Sequence, residues 1–390
     1  MHHPFSFAHD RPNRSRRATL SAMQYPRIVA KVGTSLLTAN SDRLDLEAMS
    51  RIVGQVVRLR AAGHQVAVVS SGAQAAGKHR LSRFLGDFTP SRQAFASVGQ
   101  SHLMQSWDEL FDWHDVVVAQ VLLTRRDLSD RLGYLNARNT LRDLLEAGTV
   151  PIVNENDAVA LDQVLATRIG ENDTLSAHVA NLVDADLLVL LTDVEGLYDS
   201  DPRRNPGAKL LARIDRVDTT IEAMADGAHG PGRGGMITKL TAARIATQAG
   251  VEVIIANGQI PDTLIAAAEG RAPGTHFPAA SDRIESRKRW ILGSISPGGY
   301  IVIDAGAVAA LRERGRSLLP AGVAEARGEF ARGESVEVRA PDGTRVAAGV
   351  TNYASAELQQ IRGLRSDRIA ETLGYAYGDE VVHRDNLVLL

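Results

Sequence analysis

"VPIVNENDAV", residues 150–159, is the stretch on which the fold turns. Val150 to Val153 is an apolar, β-rich run, and it meets Asn154, Glu155, Asn156 and Asp157 without a spacer. A short unbroken apolar run reads as a strand buried on both faces, the kind found in parallel sheets. Four polar side chains at its carboxyl end have two readings. They tie a turn or start a helix, or they meet a ligand, because open parallel sheets bind ligands outside the carboxyl ends of their strands.

The same pattern recurs on both sides of this stretch. "RIVAKVG" (27–33), "HQVAVVSSGA" (64–73), "DVVVAQVLLT" (115–124), "DLLVLLTD" (186–193) and "VEVIIANG" (251–258) read as strands. Between them, 44–63, 134–148, 172–185 and 234–250 carry helical apolar spacing, three of them closed by glycine. Strands alternating with helices predict an α/β fold: a mostly parallel sheet sandwiched by helices. Near residue 281 the rhythm changes. "GYIVID" (299–304), 333–354 with its hairpin signal "APDGTR", and "EVVHRDNLVLL" (380–390) read as a small, mostly β domain. The expected division is a tail over 1–24, an α/β domain over 25–283, a charged linker over 284–296 and the β domain over 297–390. The Arg- and Ser-rich tail reads as unstructured or as a start codon placed too early, with a transit peptide as the rarer reading.

Composition narrows the function. With 390 residues, 44% apolar and 23% charged, the chain can bury a large core. It has no cysteine, which excludes thiol catalysis and a disulfide framework and fits a reducing, cytoplasmic setting. No apolar run reaches the ~18 residues of a membrane span. The net charge of −2 offers no footprint for nucleic acid, and residues 291–390 alone hold 11 Arg against 13 Asp and Glu, with no Lys. Lysine occurs only at positions 31, 78, 209, 239 and 288, whereas 39 basic residues are arginine. Each lysine is therefore a candidate for a site that needs a compact ammonium. Lys78 and Lys288 read as surface or linker residues, Trp107 and Trp113 as packing groups, and His178 as an ordinary helix residue rather than a metal ligand.

Several loops that follow strands carry the equipment of phosphoryl transfer. "AKVGTSLLT" places Lys31 before Gly33, Thr34 and Ser35, and "VSSGAQAAG" presents Ser70 and Ser71. "IGENDTLSA" sets Asn172 and Asp173 at a helix start, "LTDVEGLYDSDPR" follows a strand with Thr192 and Asp193, and "HGPGRGGMITK" leads a glycine-rich turn to Lys239. Glycine-rich turns at helix N-termini favour anions, and phosphoryl transfer needs positioning and offset charge more than covalent chemistry. The chain lacks "GxxxxGK[ST]" and the protein-kinase "HRD…DFG" set, so neither of those classes applies.

These loops resemble the glutamate 5-kinase family, which has the amino-acid kinase fold and a C-terminal PUA domain. "KVGTS" and "TDVEGLYDSDPR" are shared with the wider superfamily. "PIVNENDAV", "GENDTLSA", "GGMITK", "SVGQ" (97–100), "LNARNTL" and "KRW" together are similar to this branch. The resemblance implies phosphorylation of L-glutamate by ATP with Mg²⁺, in proline biosynthesis. It implies that Lys31 and Lys239 serve the phosphates and that Asp173 holds these two lysines. It implies that Ser71, Asn154, Asp157 and Asn172 bind glutamate, and that Thr192, Asp193, Arg233, Gly234, Gly235, Met236, Ile237, Thr238 and Lys239 serve ATP. No side-chain metal site is expected. Arg233 stands where the family carries Thr, a charge in place of a hydroxyl. The resemblance further implies feedback inhibition by L-proline and a homo-oligomer, dimer or tetramer. N-Acetylglutamate kinase and uridylate kinase are the rivals within the superfamily, and the "NEND" segment and β tail argue against both. For Asp157, pairing with the substrate ammonium is set ahead of capping, while Asn156 is expected to cap.

Overall fold

The computed structural model describes residues 23–39, 41, 43–84, 88–160, 172–202, 205–226, 233–271, 273–280 and 295–390. The tail before residue 23, Gly170 and Glu171, the segment 227–232, and Lys288 with most of the expected linker lie outside the described residues. The chain divides into two compact units: one runs up to Arg125 and resumes over Arg138–Ala280, and the other takes Arg126–Ala137 and Ser281–Leu390.

The first unit is built on a seven-stranded sheet. Its strands are β1 (Arg27–Val32), β2 (Gln65–Ser70), β3 (Val118–Leu123), β4 (Val150–Glu155), β5 (Leu187–Thr192), β6 (Glu252–Asn257) and β7 (Thr275–Phe277). They lie in the order β3-β4-β2-β1-β5-β6-β7, all parallel except β7. The apolar runs are buried as expected: β5 is buried at every position, and β1 and β2 at all but the first. In register, Lys31 of β1 lies between Val69 of β2 and Leu190 of β5.

The main helices of this part of the chain are α1 (Thr34–Thr38), α2 (Leu46–Ala61), α3 (Ala73–Leu81), α4 (Arg92–Asp112), α5 (Arg131–Glu146), α6 (Asn172–Leu182), α7 (Thr219–Asp226) and α8 (Arg233–Gln248). Helix α2 shows why the periodicity was readable. Met49, Ile52, Val53, Val56 and Leu59 form one buried stripe, and Asp45 caps the start by accepting from the Ala48 amide at 3.0 Å. Helices α3 and α4 lacked such a stripe, because small residues line their contact. A Cβ on Gly77 would fall 1.7 Å from the Phe95 carbonyl oxygen, and one on Gly99 would fall 1.7 Å from that of Ala73. The two backbones therefore touch. Trp107 of α4 is fully buried in the main core, where its indole N–H donates to Ser70 Oγ at 3.0 Å. Trp113 corrects the packing expectation. It follows the last turn of α4 and is 83% exposed.

The second unit has a five-stranded sheet. Its strands β8 (Ile295–Ile303), β9 (Val323–Gly328), β10 (Ser335–Arg339), β11 (Arg345–Val350) and β12 (Leu387–Leu389) lie in the order β12-β11-β10-β8-β9. Strands β10 and β11 form the hairpin expected around "APDGTR". Ile301, Ile303, Val336, Val338, Tyr353 and Leu358 are among the residues of its own core. Among the described residues no helix is long and apolar enough to cross a membrane.

Candidate active site

The chain winds β2, β4 and β3 onto one side of β1 and β5, β6 and β7 onto the other. The strand order therefore reverses at β1 and β5, the place where ligands bind in sheets of this kind. Lys31, Ser71, Asn154 and Thr192 stand at the carboxyl ends of β1, β2, β4 and β5.

Lys31 is 7% exposed, and a buried ammonium needs a counter-charge. The Lys31 ammonium lies 2.6 Å from Asp173 Oδ1. Asp173 is in the first turn of α6, where the helix dipole favours a carboxylate. Its other oxygen, Oδ2, accepts from Thr238 Oγ1 at 2.8 Å and from Lys239 Nζ at 3.2 Å. Lys239 is equally buried and also donates to the Gly235 carbonyl at 2.9 Å. Burial pushes the Asp173 carboxyl up, but Lys31 and Lys239 overcome it and hold it below the usual carboxylate range. One buried carboxylate thus fixes two ammonium groups brought from different elements. Glycine leaves space beside each: a Cβ on Gly33 would sit 3.7 Å from Lys31 Nζ, and one on Gly235 would sit 3.8 Å from Lys239 Nζ.

Two cavities flank this pair. The first, about 460 Å³, is lined by Lys31, Thr34, Ser71, Asn154, Asp157 and Asn172, together with the start of α3. All four residues expected to bind the acceptor are therefore in one place. Asn172 Nδ2 donates to the Ser70 carbonyl at 3.2 Å, to Ser71 Oγ at 3.0 Å and to Asn154 Oδ1 at 3.1 Å. The Ser70 carbonyl can only accept, so the Asn172 amide has one orientation. Its oxygen is left buried without a partner among the described residues. Asn154 Oδ1 also accepts from the Glu155 amide at 2.9 Å, and its Nδ2 donates to Gln100 Oε1 at 2.8 Å. Gly72, at φ +98° in the left-handed region, turns the chain into α3, whose first residues face the cavity with free backbone N–H groups. Asp157 is half-buried in the turn after β4, and the Asn156 carbonyl ties that turn by accepting from the Val159 and Ala160 amides at 3.1 Å each.

The second cavity, about 380 Å³, has Lys31, Thr34, Gly235 and Lys239 at one end and Leu197, Tyr198, Met224 and Met236 among its other walls. Thr192 and Asp193 line it at the end of β5, with Thr192 Oγ1 donating to Asp193 Oδ1 at 3.2 Å. The Arg233–Lys239 segment opens α8. Gly235, Met236 and Lys239 reach the cavity. Thr238 instead bonds Asp173, and Ile237 lines neither cavity. The side chain of Arg233 lies outside what is described, as does the loop before it.

Sequence reasoning assigned no role to three features of the site. Gln100 lies in "SVGQ", a stretch matched only as a motif, and its helix was not foreseen. Thr34 was noted beside Lys31 without a function. The α3 N-terminus was hidden with the helix itself.

The sequence profile described as the Amino acid kinase family matches residues 26–257, and that of the PUA domain matches residues 299–373. Glutamate 5-kinase of Herpetosiphon aurantiacus is 50% identical over 366 residues, which is 93% of this chain and 98% of that protein. Glutamate 5-kinase of Dehalococcoides mccartyi is 46% identical over 368 residues, 94% of this chain and 99% of that protein. Glutamate 5-kinase of Shewanella pealeana is 48% identical over 373 residues, 95% of this chain and 100% of that protein. The parallel sheet, the charged pair at its switch point and this end-to-end similarity agree: the chain belongs to the glutamate 5-kinase family, with an amino acid kinase domain followed by a PUA domain.

Proposed function

We propose that the protein transfers the γ-phosphoryl group of ATP to the γ-carboxylate of L-glutamate, giving L-glutamyl 5-phosphate and ADP, the first step towards L-proline. One observation carries the reading. A polar cavity and a more apolar one meet at Lys31, beside a second lysine held by the same carboxylate. The polar cavity suits a small zwitterion. Asp157 can take its ammonium, and the amides at the start of α3 and the Ser71 hydroxyl can take a carboxylate. The other cavity suits a nucleotide, with apolar walls for a base and ammonium groups for phosphates.

The acceptor carboxylate is already ionised at neutral pH, so no general base is required. Its oxygen attacks the γ-phosphorus, and the bond from that phosphorus to the bridging oxygen breaks with its electron pair on ADP. Charge grows on the bridging and equatorial oxygens, and Lys31, Lys239 and backbone N–H groups offset it. Both oxygens of Asp173 are engaged by ammonium groups and a hydroxyl. The donor set therefore fits Mg²⁺ carried on the nucleotide, held through the phosphates that Lys31, Lys239, Gly33 and Gly235 surround. Bound there, Mg²⁺ would offset charge on the phosphates.

The same reading takes residues 25–283 as the kinase domain, 284–296 as a linker and 297–390 as the PUA domain. It takes a cytoplasmic homo-oligomer, dimer or tetramer, inhibited by L-proline. The family resemblance supports these points. The test is chemical: hydroxylamine added to the protein with ATP, Mg²⁺ and L-glutamate should trap an acyl phosphate as a hydroxamate. ADP release without hydroxamate would overturn the assignment of the acceptor carboxylate.

A further inference from the structure

We infer that Thr34 is a further catalytic residue, whose hydroxyl donates a hydrogen bond to the phosphoryl group as it passes from one cavity to the other. This rests on the phosphoryl-transfer reading above. Among the residues that line the two cavities, only Lys31 and Thr34 line both. The transferred group must cross at that shared boundary, so a side chain facing both sides can touch it before, during and after transfer. Lys31 supplies the ammonium there, held in place by Asp173. Thr34 is exposed, and its hydroxyl has no partner among the described residues.

The neighbouring hydroxyls are bonded elsewhere or face one cavity only. Thr38 Oγ1 donates to the Thr34 carbonyl at 3.0 Å, Thr192 Oγ1 to Asp193 and Thr238 Oγ1 to Asp173, while Ser71, whose Oγ accepts from Asn172, lines the polar cavity only. Ser35 lines the nucleotide cavity alone. Thr34 is also held in place. It opens α1 directly after Gly33, whose carbonyl accepts from the Leu36 and Leu37 amides at 3.2 Å each, and both leucines are buried. Side chains in a first helical turn lean towards the helix start, here towards the end of β1 and Lys31.

The step needs no proton from Thr34. The acceptor oxygen forms a bond to phosphorus, the bond to the bridging oxygen breaks, and the electron pair leaves on ADP. The hydroxyl keeps its proton and points it at an equatorial oxygen whose charge rises in the transition state. That makes the contact differential, which is what raises kcat rather than affinity.

The experiment compares the full-length parent with Thr34→Val and Thr34→Ser. Valine keeps the β-branch and removes the donor; serine keeps the donor. ADP release is measured at varied L-glutamate and ATP, beside melting curves and the affinity for MgADP with and without aluminium fluoride. Thr34→Val should lower kcat by about a hundredfold, leave both KM values nearly unchanged, and lose the extra tightness that aluminium fluoride gives MgADP. Thr34→Ser should recover most of the lost kcat. An undiminished kcat in Thr34→Val, or equal losses in the two variants, overturns the role of Thr34. A parent without glutamate-dependent ADP release overturns the functional reading instead.

Discussion

Asp173→Asn is the perturbation that separates a charge clamp from an ordinary polar contact. Asparagine keeps the shape and the acceptor for Thr238 Oγ1, yet it leaves Lys31 and Lys239 buried at 7% exposure without their shared counter-charge. The separations are 2.6 and 3.2 Å. At an effective dielectric of about 20, each such pair attracts by about 5–6 kcal/mol. Most of that offsets desolvation in the parent. Removing one partner of a buried pair nonetheless costs about 3–5 kcal/mol, because the remaining charge stays buried. For a domain of this size about 2–4 °C of melting temperature goes with each kcal/mol, so the variant should melt roughly 6–20 °C lower. The pH dependence has a definite sign. The folded pKa of Asp173 lies below its unfolded value, so its stabilisation is present above the unfolded value and is lost as pH falls through the folded one. The gap between parent and variant should therefore be widest near neutral pH and close in acid. Inorganic tripolyphosphate should raise the melting temperature of the variant more than that of the parent, since it can stand in for the missing anion. Scanning calorimetry at pH 7 and at pH values stepped down through the carboxylate range to about 2, with and without tripolyphosphate, reads all three effects. A variant that melts within about 2 °C of the parent at pH 7, with no larger response to tripolyphosphate, would refute the clamp.

Two further outcomes follow from the same geometry. Lys31→Ala and Lys239→Ala should each lower kcat by about 10²–10³ while changing the KM for L-glutamate little, since both act on charge that grows in the transition state; steady-state ADP release checks this, and an unchanged kcat removes that lysine from the mechanism. Asp157→Asn should raise the KM for L-glutamate by an amount corresponding to about 2–5 kcal/mol, leave that for ATP nearly unchanged, and narrow the preference for glutamate over N-acetylglutamate; a lowered melting temperature with a constant preference would make Asp157 a structural residue.

The sheet was legible because strands buried on both faces are written as nearly unbroken apolar runs, as in "LLVLLT" of β5. Helix α2 was legible from its stripe. Helices α3 and α4 were not, because they meet through Gly77 and Gly99, and a backbone-to-backbone contact leaves no apolar period to read. Trp113 shows the opposite limit: a large apolar side chain is no proof of burial, and this one is in solvent at a helix end. The residues that the structure gathers at the sheet's switch point were suggested by scarce lysines and by polar runs after strands. Their arrangement is not written in these residues; only the family resemblance implied that Asp173 holds the two lysines. That Asp173 holds both lysines depends on α6 reaching β1 across 142 residues of chain and α8 reaching α6 across 66. Nothing local to "GENDT" states which cations it will meet. Gln100 was invisible for the same reason, since its partner Asn154 is 54 positions away.

The most direct test of the account is acceptor choice by the full-length protein. ADP release should be followed with ATP and Mg²⁺ and, in turn, L-glutamate, N-acetylglutamate, L-aspartate and UMP. The account predicts the highest kcat/KM for L-glutamate. N-Acetylglutamate should be poor because it leaves Asp157 without an ammonium, and UMP should be inert because the polar cavity, lined by Asp157, Glu155 and amides, offers a phosphate monoester an acidic wall. Turnover of N-acetylglutamate or UMP at or above the rate with L-glutamate would contradict it.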